Sequence, residues 1–168
     1  TIYSMIMFKI NLQSDEKNVR IISECDYYVT PNARALCHDF KKGSKNSLNI
    51  IAEALSKYVT KGDVLVPIPS RNGVATNTLD LTLLIVEITS AVCFDVLEGV
   101  SRASVYDLKQ DNKKLDNGFF GFYTAEPPPD NKVILIDAVF DTGSTIKAAS
   151  EHFSECSALV YAASITKK

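Results

Sequence analysis

Between residues 137 and 145 the sequence places two carboxylates ahead of a short run of hydroxyl side chains and a glycine. The segment contains Asp137, Asp141, Thr142, Gly143, Ser144 and Thr145. Hydroxyls and free backbone N–H groups at the start of a helix bind phosphate oxygens, and a glycine lets the backbone turn tightly beside the ligand. The carboxylate of Asp137 can accept hydrogen bonds from sugar hydroxyls or approach a metal ion. A ribose 5-phosphate, which carries a phosphate beside a vicinal diol, suits both kinds of group.

Two further polar segments carry basic side chains. Ser70, Arg71 and Asn72 follow an apolar run, and an arginine in such a loop suits a bidentate contact with phosphate. Residues 101–117 are strongly polar and include Arg102 and Lys109, which could approach the leaving group of a substrate. Each segment also has a simpler interpretation. The first is then a surface turn and the second a solvated, charged hairpin.

The elements that must position these residues alternate between strands and helices from residue 48 onward. The apolar runs at 64–68 and 133–136 are typical of strands buried on both faces. Apolar residues at helical spacing predict a helix over 48–59, and Asn77 can cap a second helix. Shorter strands are expected at 94–97 and 119–123, with a closing strand at 158–165. This alternation predicts an α/β fold with a mainly parallel central sheet flanked by helices.

The N-terminal part of the chain does not follow this alternation. Residues 3–12 and 19–23 have the pattern of a β-hairpin, with its turn at 13–18. Because a hairpin breaks the strand–helix alternation, we expect it to lie apart from the sheet as a small β hood. The chain is then a single domain, with a hood or cap at 1–45 and a core at 46–168.

The order and spacing of residues 133–145 resemble a known signature. The type I phosphoribosyltransferases bind phosphoribosyl pyrophosphate (PRPP) with four hydrophobic residues, two acids, a few variable residues and a Thr-Gly-x-Thr phosphate loop. The resemblance covers roughly residues 36–165 and is nearest to the branch named for the competence protein ComF, although that branch's Cys-rich zinc module is absent. The residues that indicate the branch, besides the signature, are Pro67-Ile68-Pro69, Arg71, Asn77, Arg102, Lys109 and Asn117-Gly118-Phe119.

One position departs from the signature. The second acid of the family is Ala138 in this sequence, and whether that alanine is natural or introduced is left open. In the family the paired acids hold the ribose 2- and 3-hydroxyls. On that basis, Ala138→Asp is expected to tighten ribose binding.

The resemblance implies a type I phosphoribosyltransferase-like fold and a Mg²⁺-dependent activity. The enzyme would transfer phosphoribosyl from PRPP to a nucleobase or related nitrogen base and release pyrophosphate. Residues 141–145 would bind the 5-phosphate, and Ser70, Arg71 and Asn72 the pyrophosphate. Asp137 would hold the ribose or Mg²⁺, directly or through water. Asp141, Lys109 and Arg102 would join Asp137 as catalytic residues, although Asp141 could instead cap the turn that follows it.

The bulk composition fits a single globular domain. The chain has 168 residues, 46% of them hydrophobic and 23% charged, with a formal net charge of −2 and a pI of about 5.7. That balance offers no global basic field for nucleic acid, and no apolar run is long enough to cross a membrane. The N-terminal residues lack the features of a secretory signal. The four cysteines are scattered without a CxxC pair, so we expect reduced thiols, no structural zinc and a cytoplasmic location.

A second class of function stays open beside the enzyme. The chain could be a non-catalytic regulatory module that binds PRPP or a nucleotide on the same fold, and the loss of the second acid at Ala138 favours this alternative. The acceptor base cannot be identified from the sequence. The expected partners are PRPP and a nucleobase-like small molecule, and association of two copies of the chain into a homodimer is left open.

Overall fold

The computed structural model describes residues 7–14, 17–100, 120–125 and 132–166. The strands are β1 (Phe8–Ser14), β2 (Lys17–Asp26), β3 (Val64–Pro67), β4 (Val92–Cys93), β5 (Leu97–Glu98), β6 (Tyr123–Thr124), β7 (Val133–Phe140) and β8 (Cys156–Ala163). The helices are α1 (Ala33–Lys41), α2 (Lys45–Ser56), α3 (Asn77–Thr89) and α4 (Ser144–Ser150). The expected α/β architecture with a mostly parallel central sheet is confirmed.

The main sheet has six strands in the order β1-β2-β8-β7-β3-β4. Among the described strands of this sheet, the pairs β2–β8, β8–β7, β7–β3 and β3–β4 are parallel, whereas β1 and β2 run antiparallel. Strand β7, which carries the signature residues, therefore lies in the interior of the sheet. Four residues of β3 are buried in succession, as expected for a strand covered on both faces.

The N-terminal hairpin does not lie apart from this sheet. Strand β2 pairs with β8 from Arg20 opposite Ser157 to Asp26 opposite Ala163, so the hairpin forms one edge of the central sheet. The expectation of a separate hood is wrong for the hairpin. The hairpin joins the sheet because this pairing buries its apolar side chains: Val19 and Ile21 of β2 are 1% and 0% exposed within the core.

Apolar side chains cover both faces of the sheet. On one face, α2, α3 and Phe40 of α1 pack on Leu65, Ile136, Ala138 and Leu159. On the other face, α4 and the segments around the small β5–β6 sheet pack on Val66, Leu135 and their neighbours. Among the described residues, no helix has both the length and the apolar character needed to cross a bilayer.

Several local expectations differ from the structure. The strand expected at 133–136 continues to Phe140, and the strand expected at 119–123 is reduced to Tyr123–Thr124 among the described residues. Helix α1 had no counterpart in the sequence pattern. Asn77 does not cap α3: the helix begins at Asn77, and its side-chain amide donates to the Lys41 carbonyl at the end of α1, 2.9 Å away. That contact joins α1 to the start of α3.

Candidate functional site

The carboxyl ends of the parallel strands meet at one edge of the sheet. Three backbone hydrogen bonds join neighbouring segments there: Tyr27 N–H donates to the Ala163 carbonyl at 2.8 Å, Ser164 N–H to the Phe140 carbonyl at 2.8 Å, and Ile68 N–H to the Ile136 carbonyl at 3.0 Å. The segments that follow β2, β8, β7 and β3 are therefore neighbours, each strand roughly 4.8 Å from the next. In open α/β sheets this edge is where ligands bind. We call it the carboxyl edge.

The loop after β7 is held in a tight turn. Gly143 is buried and has a φ of 87°, which is unfavourable for other residues. A Cβ there would also lie 2.9 Å from a methyl group of Leu12 and 3.2 Å from the Phe140 ring. The hydroxyls of Thr142 and Ser144 lie 3.0 Å apart, and the Ser144 N–H donates to the Thr142 hydroxyl at 3.3 Å. The sequence places Thr145 next, half-buried in the first turn of α4.

Asp137 and Ala138 have different surroundings. The half-buried carboxylate of Asp137 accepts the backbone N–H of Ala138 at 2.8 Å. Ala138 is 1% exposed and belongs to the apolar cluster formed with α2 and α3. An acid at position 138 would enter that cluster. For Ala138→Asp we therefore expect a loss of stability rather than tighter ribose binding, because an isolated buried charge is costly.

The loop after β3 is braced by its own polar side chains. The Ser70 hydroxyl donates to the Asn72 side-chain oxygen at 2.6 Å, and that oxygen also accepts the Val74 N–H at 3.2 Å. Gly73, at a φ of 89°, packs so closely on Gly99 that an added Cβ would lie 2.2 Å from the Gly99 carbonyl oxygen. Ser70 and Asn72 thus shape the loop, and the exposed Arg71 is its charged group.

The other two predicted basic residues, Arg102 and Lys109, lie outside the described residues. What the structure does describe are the residues on either side of that segment. Val100 donates its N–H to the Phe120 carbonyl at 3.2 Å, and Gly99 donates to the Gly73 carbonyl at 2.8 Å. The two ends of the segment are therefore adjacent to each other and to the Arg71 loop.

A third segment reaches the carboxyl edge without having been predicted there. Residues 27–35 comprise the loop between β2 and α1 and the first turn of α1, and they line a shallow depression of about 240 Å³. The rings of Tyr27 and Tyr28 pack edge to face with centroids 5.1 Å apart, and the Arg34 guanidinium carbon lies 5.9 Å from the Tyr28 centroid. An acid after an apolar strand, followed by the turn residues Thr30-Pro31-Asn32, is the sequence signal that could have indicated this loop.

Asp26 fixes the start of that loop. It is 4% exposed, and its carboxylate accepts the N–H groups of Tyr28 and Val29, at 2.9 Å and 3.3 Å, and the hydroxyl of Thr166. Burial opposes ionisation of Asp26, but these hydrogen bonds outweigh it and hold the pKa of the carboxyl below its ordinary value. The depression therefore rests on a charged anchor at the end of β2.

Burial governs the ionisation of two side chains in and beside this loop. The pKa of the Tyr27 phenol is raised, mainly by burial, and the charge of Asp141 adds to the rise whereas Arg34 opposes it. The nearby thiol of Cys37 is buried under α1, and burial raises its pKa to about 12. That thiol is therefore protonated near neutral pH and is a poor nucleophile.

One buried hydroxyl lies between the two loops. Ser164 follows β8, and its side-chain oxygen has no hydrogen-bond partner among the described residues. Buried hydroxyls in native proteins are nearly always hydrogen-bonded.

Within the described part of the chain, no group of three or more His, Cys, Asp or Glu side chains is arranged to hold a metal. This does not exclude Mg²⁺ on a substrate, because Mg²⁺ commonly binds through one or two carboxylates, several waters and substrate phosphates. Asp137 is one of the carboxylates near the carboxyl edge that could take part in coordination of this kind.

Comparison with known proteins adds no family to these observations. No protein-family model matches the sequence, and a search of curated proteins gives no match. The resemblance to phosphoribosyltransferases thus depends on residues 133–145 and on the loops that accompany them.

Proposed function

We propose that the protein is a phosphoribosyltransferase that uses PRPP and releases pyrophosphate on transfer to a nitrogen base. The observation that supports this most strongly is the position of the signature. A hydroxyl-rich glycine turn follows an interior parallel strand, at the sheet edge where α/β proteins bind phosphate compounds.

The turn at 141–145 is suited to the 5-phosphate. Gly143 gives a close approach to the backbone, and the hydroxyls of Thr142, Ser144 and Thr145 can donate to phosphate oxygens. A phosphate held there takes no part in bond changes. Its function is to fix the ribose, so that the reacting carbon is oriented before reaction.

Asp137 precedes this turn on the same strand and would hold the ribose hydroxyls. It would also be the ligand, direct or through water, of a Mg²⁺ ion bound with the diphosphate, which would neutralise the charge of the leaving group. The exposed Arg71, on the neighbouring loop after β3, would contact the diphosphate.

The reaction would be a displacement at C1 of the ribose. The lone pair of the acceptor nitrogen forms the C1–N bond, while the C1–O bond breaks and its electron pair leaves with pyrophosphate. A proton carried by the acceptor nitrogen is lost to a base, for which Asp141 at the start of the turn is the candidate. An acceptor nitrogen without a proton, as in a pyridine ring, needs no such base.

The test is pyrophosphate release from PRPP with Mg²⁺ and a panel of purine, pyrimidine and pyridine bases. We expect release that depends on both a base and Mg²⁺, and that is lost in Asp137→Asn. Arg20→Gln, which removes an exposed charge on β2 away from the carboxyl edge, is the control. Absence of release with every base, from a protein that binds PRPP, would contradict the enzyme.

That last outcome would favour the second candidate, a module that binds PRPP or a nucleotide without turnover. The observation on its side is Ala138, which leaves Asp137 without the neighbouring acid of the signature. Binding of a nucleoside monophosphate as tight as that of PRPP, with no product, would identify this case.

A further inference from the structure

The segment 27–35 has the composition of a small-molecule subsite. It brings together two aromatic rings, one guanidinium and a shallow depression that they line. Tyr28 is 41% exposed, so part of its ring is open to a ligand. An aromatic surface of this kind favours a flat ring, because offset or edge-to-face packing of rings is attractive.

The charge of Arg34 favours a ligand with a negatively charged group in the depression. Among the described residues, no carboxylate forms a salt bridge with Arg34. A guanidinium lying against an aromatic ring keeps N–H groups at its edge that match a carboxylate. A ligand with a negative group beside its ring would satisfy both features.

The position of the depression connects it with the proposed reaction. The backbone N–H of Tyr27 donates to the carbonyl of Ala163, the last residue of β8. The following residue, Ser164, donates its N–H to the carbonyl of Phe140, which directly precedes Asp141. Two strand spacings, roughly 10 Å, therefore separate the Tyr27 backbone from the turn after β7. The distance is suited to a ring and a ribose lying side by side along the carboxyl edge.

We infer that the depression at residues 27–35 binds a planar aromatic ring that carries an acidic group, with the ring against Tyr28 and the acidic group on Arg34. Resting on the proposed function, the inference makes this molecule the acceptor. The substrate class is then an aromatic nitrogen base with a carboxylate, rather than a neutral base.

Calorimetric titration of the whole chain with matched pairs of compounds tests the inference. The acidic probes are pyridine-3-carboxylate and uracil-6-carboxylate, and their neutral partners are pyridine-3-carboxamide and uracil. Cyclohexanecarboxylate supplies the charge without an aromatic ring. We expect at least one acidic probe to bind about tenfold or more tightly than both its neutral partner and the saturated acid, as for a charge-assisted hydrogen bond.

Variants assign the preference to residues. Arg34→Gln should abolish the difference between acidic and neutral probes, and Tyr28→Leu should weaken the acidic and the neutral ring alike. Arg20→Gln, an exposed arginine on β2, is the matched control and should behave like the parent. Failure of both acidic probes to bind overturns the inference, as does an equal effect of Arg34→Gln and Arg20→Gln.

Titration of the same samples with PRPP and Mg²⁺ keeps the two proposals apart. If PRPP binds but neither acidic probe does, the acceptor inference fails and the proposed function stands. If an acidic probe binds through Arg34 but PRPP does not, the proposed function fails and the depression remains a site for aromatic acids.

Discussion

The loops after β7 and after β2 reach the same edge of the sheet but are specified in different ways. The loop after β7 is defined by its own sequence, because Thr142, Gly143 and Ser144 supply both the turn and its hydroxyls. The loop after β2 has few such signals, and it arrives at the carboxyl edge because β2 pairs with β8. The difference shows that a local motif can indicate one half of a candidate site, whereas strand pairing determines which loop lies beside it.

The largest expected effect is on the free energy of unfolding, at Ala138 in β7, the strand that leads into the loop after β7. Ala138→Asp should destabilise the protein by about 3 to 5 kcal/mol, because it buries an unpaired carboxylate among apolar side chains. Thr142→Asp, the same acid at an exposed position four residues later, should leave the unfolding midpoint nearly unchanged. Denaturant unfolding of both variants gives the comparison, and an Ala138→Asp variant as stable as the parent would mean that position 138 faces the ligand.

Next in size is the effect of the retained acid on ligand binding. Asp137→Asn should weaken Mg²⁺-dependent PRPP binding by about 1.5 to 3 kcal/mol, since a charge-assisted hydrogen bond is lost. Affinity for simple phosphate esters should remain, because in the proposed site these contact only the turn at 141–145. Calorimetry with PRPP and with a phosphate ester separates the two effects. Equal losses for both ligands would assign Asp137 to the phosphate or to the fold.

A smaller effect on stability is expected at Asp26, which holds the start of the loop after β2. Asp26→Asn should lower stability by about 1 to 2 kcal/mol near neutral pH, because the backbone N–H groups of Tyr28 and Val29 lose a charged acceptor. The pKa of Asp26 is lowered in the folded state, so its contribution is present above about pH 4 and is lost as the pH falls through the lowered pKa.

The pH dependence of unfolding measures that contribution. The stability difference between parent and Asp26→Asn should shrink as the solution is acidified from about pH 5 to pH 2. Asp39→Asn, which changes an exposed acid on α1, is the control. A difference that stays constant over this range would show that Asp26 is not a charged anchor.

The smallest effect is expected at the exposed Arg71. Arg71→Gln should weaken PRPP binding by about 0.5 to 1 kcal/mol, because solvent screens an exposed charge. Ribose 5-phosphate, which lacks the diphosphate, should bind as it does to the parent. Competition binding with the two ligands measures the contrast, and an equal loss for both would remove Arg71 from the diphosphate site.

The sequence predicted the parallel core because residues 64–68 and 133–136 are continuous apolar runs, and that signal is local. It did not predict the position of the hairpin, since the pairing of β2 with β8 joins residues more than a hundred positions apart. Asn77 was misread for a similar reason: its amide contacts Lys41 on a different helix. The roles assigned to Ser70, Arg71, Asn72 and residues 137–145 remain predictions.

The central claim, that the turn after β7 binds the 5-phosphate of PRPP, is tested most directly by PRPP titration of the parent and of Thr145→Val. The valine keeps the shape of the side chain but removes its hydroxyl. With Mg²⁺, PRPP at a hundredfold excess over its Kd should stabilise the parent by about 2.7 kcal/mol. Thr145→Val should fold like the parent and bind PRPP and nucleoside monophosphates about tenfold or more weakly. No response of the parent to PRPP, or unchanged PRPP affinity in the variant, would contradict the claim.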